Sequence, residues 1–384
     1  MDFLPRTLGT RPRLACEVRA EGVVAARAED AFAVLSAVAR VPLADEIVLP
    51  RPQGEDDPPS PGVGGDAAGR AAVVAALRKA LEAVSLRSRE VTLVVPDAAV
   101  RVLLLDFDEL PAKPAEALPV VRFRLKKLLP FDADDAAISY QVMATAKGSL
   151  QVLAVAMPRK LLADYESVVR EAGFEPGAIL PSTLAALAGL PEEDAPLLVV
   201  NAGRGGVTTA IVKAGVVLLH RTVDLGADLR ADAAAAQLAE LAQLTPPAEP
   251  EQWQRQEPAS FNDRNDASAA IEASALAREI VLEVAHEIAQ ERSFIETVDE
   301  VAQAVSVAAA YFEDTLQTPP ALIHAAGTLG AATLAALLDG AHVGPLAVQE
   351  ILHSPMLGAG AASAGSPGGV PLGWLAGVRG ALAN

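Results

Sequence analysis

From Leu14 to Arg27 apolar and polar positions alternate loosely, broken at Glu21-Gly22. That pattern predicts a strand, a tight turn and a second strand. Phe32–Ala39 and Ile47–Leu49 either extend that sheet or cross it. Arg51–Arg70 collects Pro, Gly and Asp without periodicity and reads as a surface loop. In Ala71–Val84 the apolar residues Val74, Leu77, Leu81 and Val84 fall at helical spacing, with Arg78 and Lys79 on the other side. Glu90–Val95 and Val100–Phe107 are strand-like and separated by the turn pair Pro96-Asp97. A helix over Lys113–Leu129 should stop at Pro130, which cannot continue it. Ser139–Ala144 and Leu150–Ala156 read as an antiparallel pair joined through Lys147-Gly148, followed by a helix from Pro158 to Ala172 that stops at Gly173. Strand, strand, helix, strand, strand, helix is a compact α+β unit.

After a linker at Pro191–Pro196, Leu197–Val200, a Gly-rich turn, Val207–Val212 and Val216–Val223 predict a three-stranded meander. Its form repeats the Leu14–Arg27 region roughly 180 residues earlier, which hints at duplication. Leu229–Leu244 is an Ala-rich helix, Thr245–Ser268 a polar, Pro-containing disordered stretch, and Ala270–Leu316 mostly helix closed by Pro319-Pro320. Ala321–Ala325 is a short strand, Gly327 turns, and Ala331–Leu338 is a helix. Gly358–Gly369 reads as loop and Gly373–Ala383 as a last short helix.

Composition narrows what such a chain does. Across 384 residues, 31 Lys and Arg face 49 Asp and Glu, a formal charge of −18, which argues against a nucleic-acid-binding body. Half the residues are hydrophobic but only 4% are aromatic, so the core is built from Ala, Leu and Val. The single cysteine, Cys16, excludes a disulfide framework or a Cys-based zinc site within one chain. A mean hydropathy of +0.30 raises the question of a membrane span, but Ser354–Val378 is punctuated by Gly and Pro. Ala321–Leu338 carries His324, Gly327, Thr328 and Gly330 near its start and reads as strand, turn and helix. Asp2, Arg6, Arg11 and Arg13 interrupt any secretory signal. A cytoplasmic protein without a transmembrane segment is expected. The five histidines show no i, i+4 pairing, and Ser182, Ser306 and Cys16 lack a nucleophile pattern, so no metal site and no catalytic residue is expected.

Read in order, Pro96, Leu110-Pro111, Leu128-Leu129-Pro130-Phe131 and Ser139-Tyr140-Gln141-Val142, then Ala172-Gly173-Phe174-Glu175-Pro176 and Pro181-Ser182-Thr183-Leu184-Ala185, resemble the PilM family of type IV pilus assembly. The resemblance runs from Leu14 to the end and is weakest over 232–268. It implies an α/β, actin-like (ribonuclease H-like) two-lobed fold with an inserted small α+β subdomain. The expected organisation is a first-lobe core over 1–90, the inserted subdomain over 91–165, and a helix with crossover segment over 166–194. The second lobe starts over 195–230. A helical subdomain with a disordered loop at 245–268 occupies 231–310, and the lobe returns over 311–384 with a C-terminal helix. By the same resemblance the protein is a cytoplasmic scaffold, peripheral to the inner membrane. It would capture the N-terminal peptide of a PilN-like inner-membrane protein in a groove beside the subdomain, link it to the pilus motor ATPases, and could self-associate. Alternatives in the same fold are an active ATPase or kinase-type enzyme and the cytoplasmic scaffold of a type II secretion system. A division-type actin homologue fits less well, because Trp374–Asn384 carries a single charge and makes a poor amphipathic anchor.

The resemblance also implies a nucleotide site for ATP or ADP with Mg²⁺, formed by two phosphate hairpins and an adenosine turn. Such hairpins work because small residues let backbone N–H groups approach phosphate while a carboxylate orders the metal. The first hairpin here keeps Glu17 but has Arg19 where Gly is expected, and Glu21 would face the phosphates. The second is Asn201, Gly203, Arg204, Gly205, Gly206 and Thr208, with Asn in place of Asp. The adenosine turn, Ala325-Ala326-Gly327-Thr328, gains two methyl groups. This site is degenerate, and its composition points to a pseudo-ATPase. Separately, Arg122, Arg124, Lys126 and Lys127 are the densest basic cluster. They form either the solvated face of a helix that buries Val121, Leu125 and Leu128, or a contact for anionic lipid or an acidic segment.

Overall fold

In the computed structural model, residues 12–29, 34–44, 47–54, 60–146, 148–190, 194–225, 298–341, 346–353 and 369–383 are described. The first alternating stretch forms β1 (Leu14–Arg19) and β2 (Gly22–Ala28), antiparallel in a register that pairs Leu14 with Arg27 and Arg19 with Gly22. β3 (Leu35–Pro42) adds to β2, so of the two stretches read as extending or crossing the sheet the first extends it, while Ile47–Leu49 forms no strand. The chain then crosses through α1 (Ala67–Val84), whose N-cap Asp66 accepts from the Gly69 N–H. It returns as β4 (Glu90–Val95), parallel to β1. A further strand, β8 (Glu175–Pro181), pairs parallel to β4 and completes the order β3-β2-β1-β4-β8. The helical spacing in α1 does what it predicts: Val74, Leu77, Leu81 and Val84 are all buried.

β4 departs from the sequence expectation, which grouped 91–95 with the inserted subdomain. Val91, Leu93, Val94 and Val95 are all buried, because a parallel central strand is covered on both faces. The inserted unit is therefore β5 (Arg101–Phe107), α2 (Pro114–Leu125), β6 (Ala136–Ala146) and β7 (Ser149–Pro158), with sheet order β5-β7-β6. α2 seats Val121 and Leu125 on Leu105, Val152 and Ala154. It ends four residues before Leu129, and Leu128 in the following turn is 49% exposed rather than core-facing. α3 (Arg159–Glu171) leaves the unit and packs Tyr165 and Val168 into the first-lobe core beside Phe174.

The second lobe repeats the first. β9 (Leu197–Gly203), β10 (Gly206–Lys213) and β11 (Val216–Val223) form the antiparallel meander. A helix, α5, covers 298–316. β12 (Leu322–Ala326) and β13 (Ala347–Glu350) add in parallel, joined by α6 (Gly330–Gly340), for the order β11-β10-β9-β12-β13. Strand for strand this is the order of the first sheet. The helix over 229–244, the stretch over 245–268 and the first part of the helix over 270–316 lie outside the described residues, as do 358–368.

Two helices join the lobes. α4 (Ser182–Ala188) follows β8 directly, and α7 (Leu372–Leu382) closes the chain. α7 is buried on nearly every side, in a cluster that contains Val24 and Ala185 from the first lobe and Val199 and Ala210 from the second. Gly380 permits the crossing: a methyl group there would overlap the Ala185 carbonyl oxygen. No helix among the described residues is long and apolar enough to cross a membrane.

Candidate functional site

The β1–β2 hairpin, the β9–β10 hairpin and the turn after β12 converge on one cleft between the lobes. A two-residue loop at Ala20-Glu21 turns Glu21 toward the second lobe. Its Oε1 accepts the Arg204 backbone N–H at 2.5 Å and the Thr328 hydroxyl. Arg204 is the first loop residue of the β9–β10 hairpin, and Thr328 follows Gly327 in the turn. The carboxylate of the first hairpin therefore lies against the donors of the other two elements. The space beside Gly203 is filled as well, since a Cβ there would meet Glu21 Oε1 and Thr328 Oγ1.

Deeper in the cleft, Arg19 stands between the lobes. Its guanidinium pairs with Glu17 at 2.6 Å, donates to Ser182 Oγ at 2.8 Å and reaches Asn201 Oδ1 at 3.3 Å. Glu17 is fully buried, and Ser182 donates to its Oε1 at 2.7 Å while its Oε2 has no hydrogen-bond partner. Burial pushes this carboxyl above the usual carboxylate range, against the Arg19 guanidinium, which pulls it down. The Asn201 amide donates to Ser182 Oγ and Thr183 Oγ1, both at 2.9 Å. Asp97, in the 3₁₀ turn after β4, accepts the Thr183 N–H at 3.0 Å and its hydroxyl at 2.6 Å, capping α4 from outside the helix. His220 lies behind Asp97, with its Nε2 at 3.9 Å from Oδ1 and without a hydrogen bond. Burial lowers its pKa, so it sits there neutral.

Of the residues expected at a nucleotide site, Glu17, Asn201, Gly203, the Arg204 amide, Gly327 and Thr328 do converge. Gly327 adopts φ +92°, and a Cβ there would overlap the Ala202 carbonyl. Gly205 sits at the loop tip with open space beside it, and Gly206 pairs with Gly203 across the hairpin. Thr208 spends its hydroxyl on Thr222, 3.0 Å away on β11. The residues do not fit a polyphosphate with Mg²⁺. The amide and hydroxyl that would take an anion hold Glu21, and the cleft's carboxylate is neutralised by Arg19. Among the described residues no group of three or more His, Cys, Asp or Glu side chains is arranged to hold a metal ion. The sequence weighed Ser182 only as a nucleophile and read Asp97 only as part of a turn, so their meeting with Thr183 and Asn201 in the cleft was missed. The signal was a Pro181-Ser182-Thr183 helix start, where hydroxyl side chains bond locally to polar neighbours rather than act as nucleophiles.

A second feature lies beside the inserted unit. β6 is one edge of the three-stranded sheet and β8 one edge of the five-stranded sheet. Between them runs a groove of about 320 Å³, within the range of ligand pockets. Val100, Ile138, Val155, Met157, Leu162 and Ile179 make its apolar wall; Ser139 and Glu166 are its polar members.

No protein-family model and no curated protein sequence matches this chain. Solved structures do. A chain of a PilM–PilN type IV pilus biogenesis complex shares 16% identity over 97% of this chain and 98% of its own, with a TM-score of 0.62. The ethanolamine utilization protein EutJ of Carboxydothermus hydrogenoformans shares 12% identity over 100% and 94%, at 0.41. The cytoplasmic domain of EpsL, from the type II secretion system of Vibrio cholerae, shares 14% over 65% and 90%, at 0.35. The fold is actin-like and PilM-like, in agreement with the paired five-stranded sheets.

Proposed function

We propose that this chain is a cytoplasmic, PilM-like scaffold of type IV pilus assembly. In this reading the groove between β6 and β8 takes the N-terminal peptide of a PilN-like inner-membrane protein. The scaffold is thereby peripheral to the inner membrane and links that protein to the pilus motor. The observation that carries the reading is the groove itself: an apolar channel flanked by two sheet edges. An extended peptide can add its backbone N–H and C=O groups to such an edge while alternate side chains enter the channel. The likeness of the whole fold to a chain solved in a PilM–PilN complex supports the choice of partner. The cleft between the lobes supports a scaffold over an active ATPase, because Arg19 and Glu21 occupy the positions where phosphates would need free donors.

The test is fluorescence anisotropy with labelled N-terminal peptides of candidate inner-membrane proteins and the full chain. Ser139→Arg is the matched variant, since Ser139 is exposed at the sheet edge and lines the groove. The reading expects saturable binding that this variant weakens at least tenfold. Binding by neither protein, or equal binding by both, contradicts it.

A further inference from the structure

We infer that the outward stripe of α2 rests on an anionic lipid surface. Three apolar side chains stand out into solvent there: Phe123 at 69% exposure, Leu128 at 49% and Val120 at 39%. Arg124 and Lys127 are exposed among them. Positions 120, 123, 124, 127 and 128 follow i, i+3, i+4, i+7 and i+8, one continuous helical face that extends into the turn after α2. Hydrogen bonds from the Leu128 and Leu129 N–H groups to the Leu125 carbonyl hold that turn. The neighbouring face, with Ala117, Val121 and Leu125, is buried against the sheet, so the stripe cannot turn inward.

The cations of this cluster divide by what they touch. Arg122 donates to the Ala133 and Ala136 carbonyls and is structural. Lys126 pairs with Asp134, and Lys113 with Glu116. The side chains of Arg124 and Lys127 have neither an acidic partner nor a hydrogen bond to the described residues, in a protein of net charge −18. A face that mixes unpaired cations with protruding Phe, Val and Leu side chains needs a partner offering continuous negative charge above apolar depth. A lipid interface supplies both: the long basic side chains reach headgroups while the apolar ones enter the acyl boundary. An acidic peptide would match the charges and leave Phe123 in water. Nothing here depends on what the β6–β8 groove holds.

The experiment is co-sedimentation of the full chain with phosphatidylglycerol-containing vesicles and with phosphatidylcholine vesicles. The wild type should pellet with the anionic vesicles alone. Arg124→Gln with Lys127→Gln should lower its partition about 30-fold, roughly fivefold for each cation lost. Phe123→Ser should also weaken binding. All three side chains are exposed, so the variants should keep the wild-type thermal melt, which separates loss of binding from loss of fold. Failure to pellet with either vesicle overturns the inference, as does equal partition of wild type and the double variant. Capture of an acidic peptide by this face without vesicle binding assigns it to a protein partner and overturns it too.

Discussion

Glu21 carries a role at residue scale that its neighbours in sequence do not announce. One carboxylate oxygen holds a backbone amide 183 positions away and a hydroxyl 307 positions away. Bonds to a charged acceptor contribute about 1.5–3 kcal/mol, so Glu21→Ala should cost on the order of 1–3 kcal/mol in urea unfolding, allowing for its partial exposure. An unchanged midpoint would show that the link between hairpins carries no stability. His220 gives a pH signature with a definite sign. Its ordinary value is 6.5 and burial lowers it, so below pH 6.5 the unfolded chain takes up a proton that the native chain refuses. Stability from this group is present above that pH and is lost as pH falls toward the depressed native value. His220→Gln should therefore narrow the difference in unfolding free energy between pH 7.5 and 5.5, as followed by urea titration at both. A difference that stays as large in the variant would remove His220 from the account.

At the scale of elements, the strands and most helices were legible because their patterns were strong: alternation in β1 and β2, helical spacing in α1, Pro130 beyond α2. What stayed hidden was how deeply an element is buried. α7 reads as a short terminal helix, yet ten of its residues are buried, in the core cluster that draws on both lobes. The clue was the spacing of Gly373, Gly377 and Gly380, small residues where a neighbouring backbone comes close at 373 and 380 and the Glu17 carboxylate at 377. Gly380→Ala should destabilise by about 1–3 kcal/mol or more, the cost of overpacking, read from the urea midpoint. The β10–β11 loop offers the opposite change. Ala214 and Gly215 both have positive φ, +47° and +76°, as a two-residue hairpin of the mirror-image type requires. Asn tolerates that conformation better than Ala, so Ala214→Asn should raise stability by about 0.5–1 kcal/mol in thermal unfolding. A lower melting temperature would count against the turn geometry.

Across the whole molecule, the repeated strand pattern hinted at duplication while the two lobes were expected from the family resemblance, and the structure extends the likeness to two five-stranded sheets of one strand order. β4 was misplaced because a buried parallel strand and an edge strand look alike in a short apolar run. The cleft was legible only as a set of wrong residues in the expected places, since nothing local shows that Glu21 and Arg204 meet. Together they describe an actin-like frame whose interlobe cleft is filled by its own carboxylate and guanidinium, which is why we propose the edge-lined groove, and not that cleft, as the site of the peptide partner. Isothermal titration of the wild-type chain with Mg·ATP tests that most directly. The account predicts no saturable heat at millimolar ligand. Stoichiometric binding with a micromolar Kd would show that Arg19 and Glu21 yield to phosphate, and would contradict it.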